Sequence, residues 1–119
     1  LAEAPVGYLN IVWLPEYGPF REDGIPEIQD FNVAAGFRRQ GIGSGLMDEA
    51  ERCCLLRSST VGIAVGLDPD YGPAQRLYVR RGYVPDGRGL HYGNRPVRWG
   101  ETVTVDDSLI LYLTKSLGR

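Results

Sequence analysis

Arg38-Arg39-Gln40-Gly41-Ile42-Gly43-Ser44-Gly45 is the stretch on which the reading of this chain turns. It follows an apolar extended segment, Ile28 to Val33, and opens a predicted helix running from Ile42 to about Leu56. A strand thus enters a basic, glycine-rich turn that becomes a helix N-terminus. The first turn of a helix offers N–H groups without intrahelical partners and the positive end of the macrodipole. Glycines let the backbone come close to a ligand, and Arg38 and Arg39 add charge beside it. Together these make a seat for phosphate. As a purely structural element, the same residues would form a glycine-rich turn capping a helix. A P-loop requires Lys and then Ser or Thr after its last glycine, but Gly43 is followed by Ser44 and Gly45. A dinucleotide fingerprint fails on the spacing of Gly41, Gly43 and Gly45 and on the position of the next strand, near Thr60 to Leu67.

The elements on either side follow from periodicity and breakers. Gly7 to Trp13 alternates in part and reads as a strand. Leu14 to Gly24 holds two prolines and two glycines and reads as a loop. Pro26 to Ala34 is a second strand, and Ser59 to Leu67 is a third, with no polar face along Val61-Gly62-Ile63-Ala64-Val65-Gly66. Tyr71 to Arg81 is a short helix stopped by Gly82, and Tyr83-Val84 begins another strand. Pro85 to Asp107 reads as irregular or hairpin, and Leu109 to Leu113 as the final strand. The order predicts an α/β fold, a mixed β-sheet flanked by helices.

The chain has 119 residues, 43% hydrophobic and 24% charged, enough for one core; residues 1–119 read as a single domain. A net charge of −2 gives no nucleic-acid footprint. The basic residues cluster at Arg38-Arg39 and at Arg76, Arg80 and Arg81, which suits a small anionic ligand. No apolar run has membrane-spanning length and no signal peptide is visible. Cys53 and Cys54 are adjacent and badly placed to pair, so a reduced, cytoplasmic protein is expected. With one histidine, His91, no metal site is expected.

The loop satisfies the pattern [Arg/Gln]-x-x-Gly-x-[Gly/Ala] through Arg38, Gly41 and Gly43. A second segment, Ala74-Gln75-Arg76-Leu77-Tyr78-Val79-Arg80-Arg81-Gly82-Tyr83, places Ala74, Leu77, Tyr78 and Arg81 on one side of a helix. These two segments, in this order, resemble the pyrophosphate loop and the Ala-x-x-Leu-Tyr-x-x-x-Gly-[Phe/Tyr] signature of the GNAT superfamily of acetyl-CoA-dependent N-acetyltransferases. The resemblance covers Gly7 to Leu117 and implies a GNAT-like sheet. It implies acetyl-CoA as acyl donor and a primary amine, expected to belong to a small molecule, as acceptor. A non-catalytic CoA-binding or regulatory module is the alternative.

Residue by residue, the resemblance gives Tyr78 as the general acid toward the CoA sulfur. It gives Glu27 as the base that deprotonates the amine through water, the role of a glutamate on this strand in the histone-acetylating branch. Alternation puts Glu27, Phe31 and Val33 on one face and Asp30 and Asn32 on the other. Burial would raise the pKa of Glu27, and Asp30 is the rival base or an anchor for a cationic acceptor. The backbone of Phe31, Asn32 and Val33 would hold the pantetheine arm. The N–H groups of Arg39, Gln40, Gly41, Ile42, Gly43 and Ser44, with Arg38, would hold the pyrophosphate. Leu90-His91-Tyr92-Gly93-Asn94, read as a loop, would form with Arg95, Trp99 and Glu101 a wall of the acceptor pocket.

Two features depart from the family. Tyr71 stands where many relatives carry Asn seven residues before the tyrosine. The strand and two helices that usually precede a Gly7–Trp13-type strand are not in this sequence. The expectation is therefore an exposed first strand, covered by a homodimer partner or by more of a longer polypeptide.

Overall fold

The computed structural model describes residues 7–33 and 41–118. The described elements are β1 (Gly7–Val12), α1 (Gly18–Glu22), β2 (Glu27–Val33), α2 (Ile42–Leu55), β3 (Thr60–Gly66), a 3-10 turn (Pro69–Tyr71), α3 (Gly72–Arg80), β4 (Val84–Tyr92), β5 (Arg95–Pro96) and β6 (Leu109–Ser116). The strands form one mixed sheet in the order β1-β2-β3-β6-β4-β5. β2 and β3 are parallel, and every other pairing is antiparallel. Among the described residues β1 is an edge strand, as expected, and no described helix is long and apolar enough to cross a membrane.

The run Val61 to Gly66 sorts by period two into two unlike faces. Val61, Ile63 and Val65 point into the main core, with Met47, Ala50 and Cys54 of α2, Tyr78 of α3 and Ile28 of β2. From Gly62 onward the opposite face of β3 carries Gly62, Ala64 and Gly66, so other parts of the chain close onto its backbone. A Cβ on Gly62 would lie 2.2 Å from the ring of Phe20, and one on Gly66 2.3 Å from the ring of Tyr71. Glycine inside a strand marks such close approach.

Phe20 belongs to α1, which stands where a loop is expected. Pro19 suits the first turn of a helix, and the five-residue segment is too short to persist by propensity. Packing holds it: Phe20 and Tyr17 are buried with Tyr112 on this second face, and the rings of Tyr17 and Tyr112 stack 3.5 Å apart. Gly62→Ala is accordingly expected to overpack the Phe20 contact and destabilise the protein by about 1–3 kcal/mol, measured by urea unfolding.

The segment predicted as irregular after Pro85 is partly ordered as β4 and β5. β4 pairs with β6 at Val84 and Pro85 and again from Leu90 to Tyr92, with a register shift between. Leu90-His91-Tyr92 is therefore strand and not loop, and only Gly93-Asn94 turns.

Candidate functional site

β2 and β3 pair at only two positions, Glu27↔Gly62 and Ile28↔Ile63. Beyond Ile28, β2 stays with β1, and Gln29, Asp30 and Phe31 carry no registered partner on β3. The two parallel strands part there, and a cleft of about 420 Å³ opens between them.

A bulge shapes the parting strand. Tyr8 faces Asn32 and Asn10 faces Gln29, so Leu9 alone opposes both Asp30 and Phe31. Asp30 takes up the extra residue with a φ of 55°, left-handed for a non-glycine, and Asn10 Nδ2 donates to its Oδ2 at 2.8 Å. The bulge overturns the simple alternation expected of this strand. Ile28 and Phe31 lie on the α2 side, where a Cβ on Gly43 would come 3.0 Å from Phe31 Cζ and 3.7 Å from Val33 Cγ2. Glu27 lies on the other side, level with Gly62, where Phe20 packs. Glu27 thus shares a face with neither Phe31 nor Val33.

The cleft is lined from both faces of the sheet: Phe31, Ile63, Val65, Ala74 and Tyr78 on the helical side, Glu27, Ala64 and Ile110 on the other. Glu27 is 6% exposed, and burial pushes its carboxyl up to about 7 against a smaller opposing effect of a hydrogen bond with Gln29. Tyr78 is 4% exposed, and burial raises its phenol to about 12, so it keeps its proton throughout the neutral range. Its ring lies 6.3 Å from that of Phe31.

The end of α3 fixes Tyr78 from behind. Tyr83 N–H donates to the Tyr78 carbonyl and Gly82 N–H to that of Val79, both at 3.0 Å, with Gly82 at a φ of 95°. This is a Schellman cap, and the rings of Tyr78 and Tyr83 meet beneath it, 5.9 Å apart.

Of the loop residues proposed from sequence, Arg38, Arg39 and Gln40 lie outside the described residues. Gly41 is the N-cap of α2, with a φ of 79° and no atom of the described residues within 4 Å of where its Cβ would stand. Ile42, Gly43 and Ser44 form the first turn of α2. Arg81 does not join an anion site. Its guanidinium binds Asp48 at 2.7 Å, Glu51 at 3.2 Å and the Ser44 carbonyl at 3.3 Å, tying α3 to α2. Burial pushes Glu51 up, but hydrogen bonds from Lys115, Arg81 and Tyr83 prevail and hold it below its ordinary value.

The expected acceptor wall is placed differently. His91 is buried against Tyr17 and Tyr112, Arg95 pairs with Glu101 at 2.6 Å, and Trp99 is fully exposed; none of them lines the cleft. Tyr71 and Asp107 line it instead, and Tyr71 Oη donates to Asp107 Oδ1 at 2.9 Å. Asp107 belongs to no motif in the sequence. The available signal was Gly66, a glycine at the end of β3 that leaves room for a ring.

Comparison with known proteins bears on this arrangement. The model of the acetyltransferase (GNAT) family matches residues 2–83. No curated protein matches the sequence significantly. Solved structures do. One is an acetyltransferase of the GNAT family from Staphylococcus aureus, 19% identical, with a TM-score of 0.59 over 94% of this chain and 60% of that one. Another is a nourseothricin acetyltransferase, 21% identical, with a TM-score of 0.68 over 94% and 58%. A third is Ard1 from Thermoplasma volcanium, 23% identical, with a TM-score of 0.66 over 93% and 62%. At these identities the likeness is one of fold. The chain spans about three fifths of the length of each of these structures.

Proposed function

Because this chain belongs to the acetyltransferase (GNAT) family, we propose that it transfers an acetyl group from acetyl-CoA to a primary amine of a small molecule. One observation carries the reading. The split between β2 and β3 exposes Tyr78 and Glu27 to a single cleft from opposite faces of the sheet. An acid and a base on two sides of one opening suit a reaction that needs a proton at the leaving group and removes one from the nucleophile.

Features of the chain fit acetyl-CoA as donor. The parted edge of β2 offers main-chain groups to an extended arm, in the manner of strand addition. Gly41 turns into the α2 N-terminus with no described residue crowding its Cα, as close approach of a pyrophosphate requires. The thioester supplies an activated acetyl group; the chain binds, orients and moves protons. Glu27, poised near neutrality by burial, accepts a proton from the amine, directly or through one water. Tyr78 donates a hydrogen bond to sulfur as charge develops there. Its phenol at about 12 is a weaker acid than a thiol at roughly 8–9, so the donated bond does more than full proton transfer. Asp30 is the lesser candidate for the base, being exposed and held by Asn10.

The test is release of CoA thiol from acetyl-CoA against a panel of amines. Binding of acetyl-CoA with no thiol release from any amine would leave a non-catalytic CoA-binding module. Gly41 gives a prediction separable from folding. Asn tolerates a positive φ, and no atom of the described residues lies within 4 Å of where its Cβ would stand. Gly41→Asn is therefore expected to fold normally yet bind acetyl-CoA about tenfold more weakly by calorimetry, because the side chain stands where the pyrophosphate must approach. Unchanged affinity would remove this turn from the cofactor site.

A further inference from the structure

We infer that Glu51 of α2, which does not line the cleft, is a positioning residue for acetyl transfer: it holds the two residues that aim Tyr78. This inference rests on the reading of Tyr78 as the hydrogen-bond donor to the departing sulfur.

The geometry is a convergence. Two backbone N–H groups meet on the Tyr78 carbonyl, that of Tyr83 at 3.0 Å and that of Arg81 at 3.2 Å. The side chains of the same two residues end on a single atom of α2. Tyr83 Oη donates to Glu51 Oε2 at 2.9 Å, and Arg81 Nε donates to it at 3.2 Å. The other oxygen, Oε1, accepts from Lys115 Nζ of β6 at 2.6 Å. One carboxylate thus receives donors from the C-cap of α3, from the tyrosine just beyond it and from β6. The Tyr83 ring, held at its hydroxyl by Glu51, lies 5.9 Å from the ring of Tyr78. Glu51 therefore reaches Tyr78 at two points, its backbone carbonyl and one side of its ring.

Stability alone is a poor account of this cluster. The side chains of Arg81 and Glu51 are 13% and 11% exposed. Taking such charges out of water offsets much of what their pairing gives, so the net stabilisation is small. What three donors on one carboxylate fix is direction. Tyr78 depends on direction: its hydroxyl must meet the sulfur as charge develops, and a displacement of about 1 Å costs rate on the order of 10²-fold. Glu51→Gln keeps the size of the side chain and one acceptor oxygen. Its amide nitrogen would face either Lys115 Nζ or the donors of Tyr83 and Arg81, so one side of the cluster must open. Arg81 keeps Asp48 and the Ser44 carbonyl, so the first turn of α2 stays in place.

The experiment measures kcat and both KM values in the wild type, Glu51→Gln, Tyr78→Phe and Tyr78→Phe/Glu51→Gln. Circular dichroism establishes that each is folded, and titration with acetyl-CoA counts the active protein. In Glu51→Gln turnover is expected to fall about tenfold with both KM values nearly kept. In the Tyr78→Phe background the same substitution should cost nothing further, because no hydroxyl is left to aim. A merely structural Glu51 would cost the same factor in both backgrounds. Tyr83→Phe removes only the hydroxyl on Glu51 Oε2. It should show a smaller loss that also vanishes with Tyr78→Phe, and it carries the test if Glu51→Gln does not fold. A loss that persists in Tyr78→Phe overturns the inference and leaves the acetyltransferase reading standing. So does a raised KM in place of lowered turnover, or wild-type turnover in Glu51→Gln or Tyr78→Phe. Absence of transfer to any amine by the wild type overturns that reading and this inference with it.

Discussion

Tyr78→Phe is expected to lower the turnover of acetyl transfer by about 10²-fold or more while acetyl-CoA binds almost as tightly as before. The substitution removes one atom from a side chain that is 4% exposed and packed against Phe31 and Tyr83, so the core is kept. What disappears is the donor facing the cleft. A hydrogen bond that strengthens only as charge reaches the sulfur acts on the rate and not on ground-state binding. Single-turnover measurement of thiol release reads this directly. Wild-type turnover in the variant would assign Tyr78 to packing alone.

Glu27→Gln is expected to cost a comparable factor at pH 8 and to remove the dependence of kcat/KM on a group titrating near 7. The same residue has an opposite effect on stability. Its folded pKa of about 7 lies above the ordinary 4.5, so the folded state holds this proton more tightly than the unfolded one. Stability from this group is full below about 4.5 and falls as pH rises through about 7, by up to roughly 3 kcal/mol. Glu27→Gln should therefore melt above the wild type at pH 8 and level with it at pH 4.5. A variant that is slower and more stable at high pH marks a carboxylate kept charged for chemistry. A variant with unchanged rate would return the role to Asp30.

How far the chain could be read beforehand depends on how local each signal is. The turn at Gly41, the helix after it and the stop at Gly82 are written in adjacent residues, and the structure has them within a residue or so of the expected bounds. The faces of β2 were not readable, because the bulge at Asp30 exists only once β1 is paired beside it. α1 carries little local helix signal, because its stability comes from Phe20 meeting a glycine about forty residues later. Arg81 read as a cation for a ligand, since nothing nearby in sequence shows that Asp48 and Glu51 lie against it. Asp107 was silent for the same reason: its partner Tyr71 precedes it by 36 residues.

The cap at the end of α3 has a consequence for the timing of costs. A tyrosine on a helical surface samples several rotamers and must give them up when it meets its substrate. Tyr78 has given them up already: its carbonyl is pinned by Tyr83 N–H and its ring is wedged between Tyr83 and Phe31. If Tyr78 acts as proposed, the entropy of aiming its hydroxyl is lost once, during folding, and not again at each turnover.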